Sequence, residues 1–220
     1  MTITIRSGST VMFTGDSITD GLRRGSAHGL GAGYPLRVAQ EWGRRHPDRQ
    51  VTWLNTGNAG DKVTDLEARW QRDVLDARPD VVSILVGAND MSWHTLDPEG
   101  YVIPARDFEA GYDRLLEPLA EAGTALILIE PFLLPVGAVI EAGDALVGPE
   151  QREEWRADLD PKIQAVRRLA RRYGARLLAA DGMFAELAAT DGAEHWAVDG
   201  IHPTQAGHDA LAAAWLRLVA

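Results

Sequence analysis

An alternation constrains this chain more than any other feature. Short apolar runs recur along it, and stretches with helical spacing separate them. Residues 11–13, 51–54, 81–86, 125–129 and 176–180 read as strands. The third and fourth, VVSILV and ALILI, are nearly continuous apolar runs, as expected of strands covered on both faces. Helices are predicted over residues 35–45, 64–77, 108–122, 161–173 and 204–219. In the fourth, Ile163, Val166, Ala170 and Tyr173 share one face, and Asp160 and Pro161 are the expected cap and first turn. Thr204 is the expected N-cap of the last helix. The alternation predicts an α/β fold with a parallel sheet and helices on both faces. With no repeat or linker, residues 1–220 are expected to form a single domain, a length that can bury a full core.

Two long loops interrupt the pattern, residues 91–106 and residues 131–158, the second leaving room for a helical part. Loops of that length are usually functional or meet a partner. The second carries Phe132, Leu133, Leu134, Val136, Val139 and Ile140, which are expected to line a cleft or bury against another subunit. A homo-oligomer is the resulting expectation.

Composition removes several function classes. Lys plus Arg number 22 against 32 Asp plus Glu, a formal net charge of -10. Such a chain repels phosphate backbones, so no nucleic-acid partner is expected. The run Arg167, Arg168, Arg171, Arg172 reads as a solvated helix face. With no cysteine, disulfides, thiolate metal sites and a thiol nucleophile are excluded. No apolar run is long enough to span a bilayer and no secretory h-region is visible, so no membrane partner and a cytoplasmic location are expected.

The chemistry lies in four polar clusters. Gly15-Asp16-Ser17-Ile18-Thr19-Asp20-Gly21 follows the first strand, Asn55-Thr56-Gly57-Asn58-Ala59-Gly60 the second, and Gly87-Ala88-Asn89-Asp90 the third. Asp199-Gly200-Ile201-His202-Pro203 precedes the last helix. In open α/β sheets ligands bind beyond the carboxyl ends of the strands. If strand one lies between strands two and three, the first three clusters become neighbours there. Acyl transfer needs a nucleophile, a base and oxyanion donors. Ser17 supplies a hydroxyl on a tight turn, and His202 a base to take its proton. Asp199, three residues before His202, can orient the imidazole. The backbone N–H groups of Ser17 and Gly60 and the side-chain amide of Asn89 can serve as oxyanion donors. Gly-x-Ser-x-Gly is absent and the nucleophile sits near the N-terminus, which argues against the α/β-hydrolase fold.

FTGDSITDG resembles the first block of the SGNH, or GDSL, hydrolases. NTGNAG resembles their glycine block, VGAND their Gly-x-Asn-Asp block and DGIHP their Asp-x-x-His block, all in the family's order. The resemblance implies a three-layer α/β/α sandwich with a flavodoxin-like, parallel five-stranded sheet. It implies Ser17 as nucleophile, Asp199 and His202 as the rest of the triad, and an oxyanion hole of Ser17, Gly60 and Asn89, with no metal and no cofactor. GDSITD, DLEARWQRDV, PDVVSILVGAND, EPF and HPTQAGHDAL further resemble the intracellular GDSL esterases that deacetylate xylo-oligosaccharides. That implies a small acylated carbohydrate as substrate. One departure bears on the sugar: such enzymes commonly carry Trp directly before the triad Asp, where this chain has Val198 and places Trp196 two residues earlier. Ser92-Trp93-His94 after the asparagine block is another.

Each residue also has a plainer reading. Ser17 could cap a helix, Gly60 could be a turn glycine at positive φ, and Asp16 and Asp90 read as structural acceptors rather than catalysts. Trp93, Trp155 and Trp196 are candidates for stacking on a sugar, against core or subunit packing. The histidines outside the Asp-x-x-His block lack a metal-ligand spacing, and a metal site would have to be built from Asp16, Asp20, His202 and His208. The rival functions are a thioesterase, a lysophospholipase or a broad carboxylesterase of the same fold, and a non-catalytic carbohydrate-binding protein. A flavodoxin-like nucleotide binder lacks its Gly-x-Gly-x-x-Gly.

Overall fold

The computed structural model describes residues 2–91, 102–137, 140–142 and 145–220. Five parallel strands form one sheet: β1 (Thr10–Gly15), β2 (Thr52–Asn55), β3 (Val81–Leu85), β4 (Ala125–Ile129) and, late in the chain, β7 (Arg176–Leu178). Their order is β2-β1-β3-β4-β7. Strand one therefore does lie between strands two and three, and the chain reverses direction across the sheet at β1. Helices cover both faces, the three-layer sandwich expected of the chain.

The apolar runs are continuous because each strand feeds two cores. In β3, Val81 and Leu85 face one core while Val82 and Ile84 face the other. In β4, Ile127 and Ile129 alternate with Leu126 and Leu128 in the same way. The first core receives Tyr34, Val38 and Trp42 of α2 (Tyr34–Arg45) and Leu211 and Trp215 of α8 (Gln205–Leu216). The second receives Leu66 and Trp70 of α3 (Val63–Trp70) and Phe108, Tyr112, Leu115 and Leu116 of α4 (Ala105–Glu121). Fully burying a large apolar side chain contributes roughly 1.5–3 kcal/mol, so these faces hold the helices in place. Thr204 caps α8 as expected, its hydroxyl accepting the Gly207 N–H at 3.2 Å.

Several expectations are corrected. Asp160 and Pro161 do not begin a helix; Pro161 lies inside α5 (Pro149–Arg172). The apolar stripe of Ile163 and Val166 continues upstream through Leu159 and Trp155, both fully buried, and Pro149 takes the first-turn position that suits proline. Trp155 thus has no face to offer a sugar. The loop 131–158 is largely structured, since a hairpin of β5 (Ile140–Ala142) and β6 (Ala145–Val147) precedes α5. Phe132, Leu133, Leu134 and Val136 bury in this chain's own first core; Val139 lies outside the described residues, as do Trp93 and most of the loop 91–106. The arginine run is ion-paired rather than simply solvated. Arg168 meets Glu109 and Arg172 meets Asp113 of α4, and Arg167 meets the fully buried Glu130 after β4. α6 (Ala180–Asp191) and α7 (Ala193–Trp196) were not anticipated. Among the described residues no helix is long and apolar enough to cross a membrane.

Candidate active site

The first cluster turns sharply off the end of β1. Gly15 has φ +142, and a Cβ there would sit 1.8 Å from the Leu85 carbonyl oxygen of β3. No side chain fits. Asp16, not Ser17, is the N-cap of the one-turn helix α1 (Ser17–Asp20), and its Oδ1 accepts the Ile18 N–H at 3.0 Å. Ser17 is the first helical residue, where a backbone N–H has no intrahelical acceptor. Gly21 closes the turn in the left-handed region, donating its N–H to the Ser17 carbonyl.

The second cluster packs directly against this turn. The Asn58 N–H reaches the Gly15 carbonyl at 2.9 Å. Asn55 Nδ2 donates to the Thr19 and Leu30 carbonyls at 2.7 and 2.9 Å. Gly57 approaches so closely that a Cβ would lie 2.5 Å from the Asp20 nitrogen. Gly60 has φ +86, and a Cβ there would meet nothing within 4 Å, so its turn conformation and its open surroundings coexist. From β3, Asn89 is buried and its Nδ2 donates to the Asp61 carbonyl at 3.0 Å. Asp90 Oδ1 accepts the Val63 N–H at the start of α3, as befits a structural acceptor.

The fourth cluster arrives from the far end of the chain. Ala197 and Pro203 form an antiparallel bridge, and the Val198 N–H donates to the His202 carbonyl, pinching residues 197–203 into a loop. One carboxylate organises it. Asp199 Oδ1 accepts the N–H groups of Ile201 and His202 at 2.8 and 2.7 Å, and Oδ2 meets His202 Nδ1 at 2.7 Å. The other ring nitrogen, Nε2, lies 2.9 Å from Ser17 Oγ. Gly200, at φ +94, seats the loop on the chain after β4: its carbonyl takes the Leu134 N–H at 2.9 Å, and a Cβ would lie 2.6 Å from the Leu134 oxygen.

The electrostatics follow from these bonds. The Asp199 hydrogen bond raises His202 above the usual histidine range, against desolvation. Desolvation pushes Asp199 up, but the His202 hydrogen bond and charge and the two backbone N–H groups outweigh it and hold the carboxyl low. Burial pushes Asp16 up to about 7, opposed by the Ile18 N–H and the charge of His202. A hydroxyl bonded to an imidazole, which rests in turn on a carboxylate, is the arrangement that activates a serine.

Other candidates are placed differently. His208 accepts the Tyr34 N–H through Nδ1, and burial lowers it to about 4. Among the described residues no group of three or more His, Asp or Glu is arranged to hold a metal ion. Trp196 is half-buried, packs against the first core and meets His195 edge-on at 4.6 Å. The Asp61 carbonyl, which holds Asn89, and the Leu134 N–H, which holds the 197–203 loop through the Gly200 carbonyl, left no mark in the sequence, because main-chain groups carry no residue signal.

Comparison with known proteins agrees with this architecture. The model of the GDSL-like Lipase/Acylhydrolase family matches residues 13–210, and the chain belongs to that family. An acetylxylan esterase of Geobacillus stearothermophilus is 32% identical over 222 residues, covering 97% of this chain and 94% of the relative. A solved structure of a putative GDSL-like lipase from Parabacteroides merdae superposes with a TM-score of 0.87 at 30% identity, covering 99% and 98% of the two chains. A structure of an acetyl xylan esterase from Geobacillus stearothermophilus gives 0.82 at 31% identity, covering 97% and 95%. Three further structures of that esterase are described as catalytic mutants, in which a Ser, an Asp or a His is replaced by Ala. The present chain is a carboxylic ester hydrolase of this family.

Proposed function

We propose that the protein is a serine esterase that removes small acyl groups, foremost acetyl, from hydroxyls of carbohydrates such as xylo-oligosaccharides. The observation that carries the reading is the continuous bond chain from Ser17 Oγ through His202 to Asp199, at 2.9 and 2.7 Å. Ser17 Oγ attacks the ester carbonyl while His202 Nε2 takes its proton. Asp199 holds the imidazole in the tautomer with the proton on Nδ1 and stabilises the cation that forms. The oxyanion is received by the N–H groups of Ser17 and Gly60 and by the Asn89 amide, which the Asp61 carbonyl holds in orientation. His202 returns the proton to the departing sugar hydroxyl, then activates the water that releases the acid. The catalytic mutants of the Geobacillus esterase alter the same three residue types, and its name supplies the substrate class.

The test is acetate release from acetylated xylo-oligosaccharides, with Ser17→Ala as the blank. Release by the unmodified protein alone is the expected result. An aryl acetate cleaved in a Ser17-dependent manner, with no release from the sugar ester, would discard the carbohydrate. Because the family description also covers lipases, aryl esters of increasing chain length are the second measurement. A preference for long chains would replace the acetyl assignment.

A further inference from the structure

The buried carboxyl beside the nucleophile has no part in the bond chain above. Asp16 is fully buried at the switch point of the sheet. Its Oδ1 is taken by the Ile18 N–H, and its Oδ2 has no hydrogen-bond partner among the described residues. Asp90, at the end of the neighbouring strand, repeats the pattern: Oδ1 on the Val63 N–H, Oδ2 without a partner, and no exposure. A buried carboxylate with a single backbone donor is costly. The groups acting on Asp16 are few: the His202 imidazole from the 197–203 loop, Asp61 ahead of α3, Asp90 after β3, and the hydroxyls of Tyr34 of α2 and Tyr112 of α4. Of the lysines, Lys162 of α5 and Lys62 act on Asp90, and Lys162 is bonded to Asp158 at 2.8 Å.

Resting on the triad reading, we propose that Asp16 is a positioning residue with two tasks: its Oδ1 fixes the turn that carries Ser17, and its ionisation makes His202 a stronger base. The first task is the N-cap bond to Ile18. The second follows from reciprocity. Asp16 directly precedes Ser17, whose Oγ lies 2.9 Å from His202 Nε2, and its buried Oδ2 has no hydrogen-bond partner among the described residues to offset a charge, so an anion there favours the His202 cation and the cation favours the anion. Burial brings Asp16 and Asp90 to about 7, so this ionisation falls within the range in which a histidine base works. The two sites titrate as a coupled system.

The experiment is the pH profile of kcat/KM on an aryl acetate for the unmodified protein, Asp16→Asn and Asp16→Ala. Asn keeps an oxygen for the Ile18 N–H and cannot ionise. The expected ascending limb of the unmodified protein is broader than a single titration. In Asp16→Asn it sharpens and moves to lower pH by about half a unit or more, with kcat reduced several-fold and KM unchanged. Asp16→Ala loses the cap as well and falls further. An Asp16→Asn limb superimposed on the unmodified one would overturn the proposal. The His202 ring signals, followed by NMR in the unmodified protein, need no variant to fold: a two-step titration is expected, and a simple one-proton curve would also overturn it. Ser17→Ala, run alongside, separates the two readings, because full activity there defeats the triad itself whatever Asp16 does.

Discussion

The site is assembled from two halves built on different physics. The half that carries the proposed nucleophile, residues 15–21, is held by close backbone packing: Gly15 against the Leu85 carbonyl, Gly57 against the Asp20 nitrogen, and a cap carboxyl with no exposure. The base half, residues 197–203, is held by one carboxylate that takes three hydrogen bonds. It is also the more open half. The His202 side chain keeps 38% of its accessibility, and Val198 stands 62% exposed. Ser17 is thus fixed where the sheet fixes it, with little freedom to adjust. The base is oriented by charge and can be tuned by changing a single group.

That contrast breaks most visibly at Gly15. Gly15→Ala forces a Cβ into a carbonyl oxygen at a φ that side chains rarely adopt, so the folded protein and its activity should be lost together, as expression yield and a thermal melt would reveal. A soluble variant with the parental Tm would mean that the turn is not held by packing. Asp199→Asn comes next. It keeps the shape of the base half and removes its charge, so kcat should fall about 10⁴-fold with only a modest change in Tm. A loss of folding as severe as that of Gly15→Ala would erase the distinction between the halves. Asn89→Ala should lower kcat by about 10²- to 10³-fold and leave KM nearly unchanged, because the oxyanion contact forms in the transition state. A pure rise in KM would assign Asn89 to substrate binding instead.

The smallest effect concerns the acid beneath the nucleophile half. Burial raises Asp90 from an ordinary 3.8 to about 7. The folded chain then holds a proton that the unfolded chain releases. Its contribution to stability is complete below the unfolded value and is lost as pH rises through about 7. Asp90→Asn, which cannot ionise and can keep the Val63 N–H bond, should therefore show a shallower fall of Tm between about pH 5 and pH 8. Parallel curves for the two proteins would count against a buried, neutral Asp90.

The two halves were also unequally legible. The strands β3 and β4 were plainest, because VVSILV and ALILI feed two cores at once, a demand that favours apolar residues on both faces. Ser17, Asp199 and His202 could be singled out from their order and the blocks they sit in, and the structure brings the three side chains into one bonded chain. What holds them was less visible. Asp16, not Ser17, takes the cap role, and the Asp61 carbonyl and the Leu134 N–H are main-chain partners that nearly any residue could provide. Asp160-Pro161 misled because proline usually opens a helix. Here Pro149 does so, and the stripe of Trp155 and Leu159 carries α5 past the second proline. α6 escaped notice because it buries little beyond Ala180 and Phe184 at its start, too few positions to declare a period.

The most direct test of the central claim is to trap the nucleophile. The protein is treated with a fluorophosphonate, its intact mass measured, and the adduct mapped by peptide sequencing. One adduct per chain on Ser17, absent from Ser17→Ala and slowed in Asp199→Asn, is the predicted result. An unlabelled protein, or a label on another residue with Ser17→Ala still reactive, would contradict the assignment of Ser17, His202 and Asp199 as the catalytic unit.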